Sequence, residues 1–320
     1  MKLDLFQRSA LATTMGTYLL IAVGALVRAA GAGLGCPDWP RCFGRWIPPM
    51  TAAEVPPQYD PALFNFANTW TEYVNRLIGA AVGLLIFATL VLAIRHYRRS
   101  PRVLWPTVAA FILVGFEGWL GGQVVRSMLK PMVLTAHLIM ALIIVSLLLY
   151  ATVSAFFPPD GPKVTLPEPR KWVGRAALAA GVLVLLQVAI GALVRGQVQL
   201  LAEAGVARVD WIGQLGLIDV VHRNTAVLTT AAVIGVTWLA HRWVPTDRWL
   251  KGASSLAAAL VVFQVVAGLA LAYADFPRVM QVAHLWLASL LLGALTVVAM
   301  LAYRIDPRLK MASEGAPAIA

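Results

Sequence analysis

The chain has 320 residues, 60% of them hydrophobic and 13% charged, with a formal net charge of +11. A soluble domain is about 45–50% apolar and about 25% charged, so this balance excludes an ordinary water-soluble fold and points to an all-α integral membrane protein. The positive charge is dispersed over alternate loops instead of gathered on one face, which argues against nucleic acid as a partner.

Eight apolar stretches have the length a helical span needs, roughly 20 residues. They lie at about 11–29, 75–94, 104–121, 133–155, 175–194, 218–240, 252–273 and 279–302. Backbone groups in lipid must be paired within the segment, which makes these stretches helices. The short alternating segments of a membrane barrel are absent. Lys2 and Arg8, the cluster Arg95, Arg98, Arg99 and Arg102, the cluster Lys163, Arg170, Lys171 and Arg175, the set Arg242, Arg248 and Lys251, and finally Arg304, Arg308 and Lys310 all fall on one side of that arrangement. This is the positive-inside pattern, with both termini cytoplasmic. Met1 to Phe6 is short and mixed, and the first run ends in Val27-Arg28, so it reads as a retained helix and not a cleaved signal.

An external loop, 30–71, follows the first span, and its stretch from Gly31 to Cys42 is too rich in Gly and Pro for a regular helix. Cys36 and Cys42 lie in an oxidising compartment that permits a disulfide. Two free thiols are the alternative, and two cysteines alone do not make a tetrahedral zinc site. Trp39, Trp46 and Trp70 read as an interfacial belt or as cover for a porphyrin.

The second span opens with Glu72-Tyr73-Val74-Asn75-Arg76 and the sixth with Asp219-Val220-Val221-His222-Arg223. Asp219 reads as a helix cap. Val23 to Arg28 recurs as Ile190 to Arg195, and the pairs Asn75 and His222, Glu117 and Gln264, Gly121 and Gly268, and His137 and His284 are each 147 residues apart. An even number of helices separates the copies, so they share one orientation, as parallel repeats do. The expected architecture is two pseudo-symmetric four-helix bundles. The first occupies 1–157, a cytoplasmic linker 158–174, the second bundle 175–310 and a tail 311–320.

Ionisable groups inside spans are costly and mark function. His222 and His284 stand near the outer ends of the sixth and eighth spans, where two imidazoles form an axial pair for haem iron. Hydrogen bonding across helices is the alternative. Arg28, Arg76, Arg195 and Arg223 at outer helix ends suit haem propionates, or they snorkel to the interface. The N-terminal half has only one matched ligand, His137, with Asn75 at the partner position, and a neutral amide is a poor iron ligand. Double coordination suits electron transfer and open coordination suits chemistry. Glu72 is three residues before Asn75 and shares its helix face, as a proton carrier would. Glu117 reads as a hydrogen-bonded carboxyl, and His96 and His241 as solvated interface residues.

Gly33-Leu34-Gly35-Cys36-Pro37-Asp38-Trp39-Pro40 with Cys42, Glu72-Tyr73-x-x-Arg76, Ala136-His137 and His222-Arg223 resemble the haem A synthase family over nearly all of the chain. The resemblance implies oxidation of the C8 methyl of haem O to a formyl group, by two successive hydroxylations with loss of water, in cytochrome oxidase assembly. It implies a prokaryotic cell membrane, with the haem sites toward the outer face. It implies haem b in the C-terminal half, held by His222 and His284 with Arg195 and Arg223. Haem O is implied in the N-terminal half at His137, Asn75, Arg76 and Arg28, with Glu72 catalytic. Cys36 and Cys42 correspond to the family's external cysteine pair. A haem O synthase is the candidate partner beside membrane lipid, and the sequence names no electron donor. The family's second-helix motif is Glu-x-x-His-Arg, and Asn75 departs from it, so either one axial histidine suffices or the N-terminal site is altered. The competing readings are a b-type cytochrome that only carries electrons, and a haem-binding transporter or assembly factor.

Overall fold

A computed structural model of the protein describes residues 3–157 and 167–303. Most of the expected linker, the tail and the basic residues Lys2, Lys163, Arg304, Arg308 and Lys310 lie outside the described residues. The long elements in chain order are α1 (Leu5–Ala30), α2 (Phe66–His96), α3 (Pro101–Arg126), α4 (Pro131–Phe156), α5 (Glu168–Glu203), the short α6 (Trp211–Gln214), α7 (Leu217–Trp243), α8 (Arg248–Tyr273) and α9 (Arg278–Ala302). Eight of these, all but α6, are long and apolar enough to cross a membrane. Among the described residues there is no β-strand.

The helices run beyond the apolar stretches wherever the flanking chain can cap them. Asn65 accepts a hydrogen bond from the Asn68 N–H and starts α2 at Phe66, so the Glu72 motif lies inside the helix and the loop ends earlier than expected. Pro169 sits in the first turn of α5, where a missing N–H removes no intrahelical bond. The last part of the segment read as linker is therefore helical from Glu168. Asp219 does not cap its helix. Gly216, with φ 63°, occupies that position, and Asp219 in the first turn pairs with Arg223 at 2.7 Å.

Each half closes as a ring of four helices. In the first, α1 packs on α2, α2 on α3, α3 on α4 and α4 on α1; in the second, α5, α7, α8 and α9 do the same. The rings meet where α9 packs on α1 and α4, and α4 on α5. One apolar core crosses this seam, joining Ile21, Leu142 and Val145 to Val184, Val236, Leu291 and Leu295. Small residues let the backbones approach there, as in lipid they must. The Tyr18 hydroxyl lies against Gly293, and a Cβ on Gly196 would stand 2.8 Å from Cβ of Pro131.

Polar ties supplement the packing. Ser9 and Thr13 hydrogen-bond Thr89 at 2.7 and 2.8 Å, and Thr14 reaches Thr152 at 3.1 Å. Such interhelical bonds contribute about 0.6 kcal/mol each on average in a bilayer. In the second ring Arg170 is 4% exposed. It donates to the carbonyls of Leu301 and Ala302 at 2.6 and 3.3 Å and to Asp247 at 3.0 Å. Asp247 also caps α8, so this one cluster joins three helices at the end away from the long loop.

Candidate functional site

Alternation of the helices brings Asn75, His137, His222 and His284 to the same end of the molecule, the end that carries the loop between α1 and α2. That loop is closed by a Cys36–Cys42 disulfide and fastened to α2 by buried polar contacts. Glu72, 4% exposed, accepts the Cys36 N–H at 3.0 Å through Oε2, and its other oxygen pairs with Arg76. Arg76 also donates to the carbonyls of Asp38 and Arg41 at 2.8 and 2.9 Å. Thr69 donates to the Gly35 carbonyl at 2.8 Å. Gly35 packs directly on the backbone of Asn68 and Thr69, where no side chain fits. Within the loop, burial and then the neighbouring Asp38 carboxylate push the Tyr59 phenol above its ordinary value.

The tryptophans divide. Trp39 lies over Gly122 of α3, where a Cβ would meet its ring at 2.9 Å. Trp70 donates to the Pro49 carbonyl at 3.1 Å. Trp46 is 66% exposed with the Arg41 guanidinium over its ring. Of these three, Trp39 packs on α3 one residue from Gly121, the glycine that His137 packs over.

In the C-terminal ring the two histidine rings meet across helices edge to face, with centroids 6.5 Å apart and planes inclined at 64°. Each is held from behind. The Gln187 amide lies 3.1 Å from Nδ1 of His222 and donates to the His222 carbonyl at 2.8 Å, while Thr225 hydrogen-bonds the Gln187 side-chain oxygen. Nδ1 of His284 is 3.2 Å from the Gln264 carbonyl. The Gln264 carbonyl accepts from Nδ1–H of His284 and leaves its Nε2 for a metal, the arrangement metal-ligating histidines use, whereas at His222 the Gln187 amide is the donor and Nδ1 accepts. Glycines make room for both rings: a Cβ on Gly191 would be 2.9 Å from His222, and one on Gly268 3.2 Å from His284. Among the described residues no group of three His, Cys, Asp or Glu side chains offers a non-haem metal site. An imidazole pair without further donors fits the axial positions of a haem.

The N-terminal ring is built differently. His137 packs over Gly121, and Asn75 faces Gly24 with its Oδ1 buried and unpartnered. Oε1 of Glu117 is 3.1 Å from Nδ1 of His137. Arg28 has Nε and Nη2 buried without hydrogen-bond partners, an arrangement that calls for an anion. The four expected arginines thus have different surroundings. Arg76 is occupied by Glu72 and the loop. Arg223 is paired with Asp219 and lies 3.4 Å from the Tyr273 hydroxyl. Arg195 lines a cavity of about 370 Å³ with Arg208, Arg278 and Gln281.

Pattern reading missed Gln187, Thr225 and the cationic companions of Arg195. A polar glutamine inside the apolar run of α5 was the available signal. His241 is exposed and hydrogen-bonded to Ser255 at 2.9 Å, and His96 is exposed at the end of α2, as interface residues are.

Residues 7–296 match the COX15-CtaA family, described as cytochrome oxidase assembly protein. A Shewanella oneidensis protein named heme A synthase is 26% identical over 89% of this chain and 93% of its own length. A protein of the same name from Shouchella clausii is 24% identical over 93% of this chain and 97% of its own. One from Geobacillus kaustophilus is 31% identical over 39% of this chain.

Proposed function

The chain belongs to the cytochrome oxidase assembly protein family, and from that premise we propose that it is a membrane haem-dependent oxidoreductase that converts haem O to haem A. The observation that carries this reading is the contrast between the halves: two imidazoles with centroids 6.5 Å apart in one, and in the other His137 over Gly121, with Asn75 at the position that matches His222.

His222 and His284 would hold haem b, with Arg195 and Arg223 available to its propionates. Bound there, haem b supplies one-electron transfer. Haem O enters the N-terminal ring as substrate. His137 would ligate its iron, Arg28 would offer its unpartnered N–H groups to a propionate, and Asn75, a poor iron ligand, stands at the position that matches His222. Trp39 and the disulfide loop cover the site from the loop end and limit access of water.

With dioxygen as oxidant, two C–H bonds of the C8 methyl are replaced in turn by C–OH, each step taking one dioxygen, two electrons and two protons and releasing one water, and the resulting diol loses water to leave the formyl group. Glu72 is the acid assigned to the oxidation. Its hydrogen bonds to Arg76 and the Cys36 N–H fix its position one turn from Asn75, where it handles protons during the oxidation. The positive-inside pattern of the basic loops supports an orientation with both termini in the cytoplasm and the haem sites toward the outer face. A haem O synthase in the same membrane is the natural supplier of substrate.

The test is conversion. Membranes containing both this chain and a haem O synthase yield haem A on pigment extraction if the reading holds; membranes that hold the haem-loaded protein yet yield only haem O and haem B contradict it.

A further inference from the structure

Glu117 has no role in the reading above, yet its placement is unusual. It lies within α3, whose other charged residues, Arg102 and Arg126, stand at the helix ends. A carboxyl inside a span is expensive to keep. Its side chain is 13% exposed, Oε1 is 3.1 Å from Nδ1 of His137, and Oε2 is buried without a partner. Nδ1 of His137 has no hydrogen-bond partner of its own. The two groups are thus close but not yet aligned, and catalytic hydrogen bonds commonly tighten only in the loaded complex.

The matching position in the other half differs in one respect. Gln264 stands where Glu117 does, and Nδ1 of His284 meets its main-chain carbonyl at 3.2 Å, not its side chain. The two imidazoles over Gly121 and Gly268 therefore have different acceptors behind them, an acidic side chain in one case and a peptide oxygen in the other. The acceptor on Nδ1 fixes the tautomer of a ligating histidine and raises its basicity, and a carboxylate does so more than a carbonyl.

We propose that Glu117 is a positioning residue for the oxidation: it takes the hydrogen bond from Nδ1–H of His137, presents Nε2 to the substrate iron, and makes this imidazole a stronger donor than His284. More electron density at the iron favours oxygen chemistry over reversible electron carriage. The inference rests on the reading that His137 ligates haem O.

The test uses the full-length protein loaded with haem O. In E117Q the haem O remains bound, the iron–histidine stretch of the ferrous N-terminal haem moves to lower frequency and its midpoint potential rises. The rate at saturation falls while KM changes little, and the low-spin haem b signal of the other half stays as the control for folding. E117D keeps a carboxyl at longer reach and gives a smaller shift in the same direction. An unshifted stretch and potential in haem O-loaded E117Q overturn the inference. If E117Q fails to retain haem b, E117D is read alone, and absence of any shift overturns it equally. His137→Ala separates the two levels. Persistence of the histidine-ligated haem O signature in that variant defeats the ligand assignment itself, whereas its loss beside an unshifted E117Q defeats only the role of Glu117.

Discussion

The main-chain N–H of Cys36 donates to Oε2 of Glu72 across 3.0 Å, so a single buried carboxylate ties a disulfide-closed loop to the helix that carries Asn75. The same carboxylate neutralises Arg76, which in turn holds two loop carbonyls. Charged hydrogen bonds of this kind contribute about 1.5–3 kcal/mol, or roughly ten- to a hundredfold in the opening equilibrium of the loop. Glu72→Ala is expected to speed trypsin cleavage at Arg41 and Arg45 and reduction of the disulfide by about that factor. Glu72→Gln retains a side-chain acceptor and gives a smaller change. Timed proteolysis and thiol labelling of unreduced protein measure both.

The glycines beneath the histidine rings give a graded series. An alanine Cβ at Gly191 would stand 2.9 Å from His222 Cε1, one at Gly268 3.2 Å from His284 Cε1, and one at Gly24 3.9 Å from Asn75 Oδ1. Overpacking of this sort costs about 1–3 kcal/mol. Gly191→Ala is therefore expected to lower haem b content sharply, Gly268→Ala less so, and Gly24→Ala not at all, with His222→Ala and His284→Ala abolishing the low-spin spectrum. Pyridine haemochrome assay of the purified variants gives the order.

Asn75 offers the converse experiment. Its side chain faces Gly24, and a histidine there adds a second imidazole to the N-terminal ring. With haem O loaded, Asn75→His is expected to show a second low-spin haem signal in addition to that of haem b, and Asn75→Ala to leave the haem b signal unchanged. Low-temperature electron paramagnetic resonance distinguishes the two.

At the opposite end of the molecule, Arg170→Ala leaves Asp247 without its buried partner and the carbonyls of Leu301 and Ala302 without a donor. Breaking one side of a buried pair costs about 3–5 kcal/mol. A fall in the midpoint of thermal unfolding, followed by the haem b absorbance of the C-terminal ring, is the expected outcome, with little effect on the spectrum at low temperature.

The spans were legible because lipid imposes a length and an apolar composition that few other constraints counteract. The helix starts were less so. The start of α2 depends on Asn65, a cap that apolarity alone does not reveal, and Gly216 displaced Asp219 from the same role at α7. The histidines could be read from the spacing of the repeat. What stands behind them could not. The Gln187 contact with His222 and the Glu117 contact with His137 join separate helices, and which faces meet depends on the rotation of each helix in its ring. The clamp of the cysteine loop by Glu72 and Arg76 is long-range for the same reason.

The most direct measurement is the haem A to haem O ratio in membranes that contain a haem O synthase together with this chain or its His137→Ala variant, both at equal protein level. Haem A with the wild-type chain and haem O alone with His137→Ala is the expected result. Haem O alone with a wild-type chain that carries its full haem b spectrum would leave the protein an electron carrier and contradict the assignment.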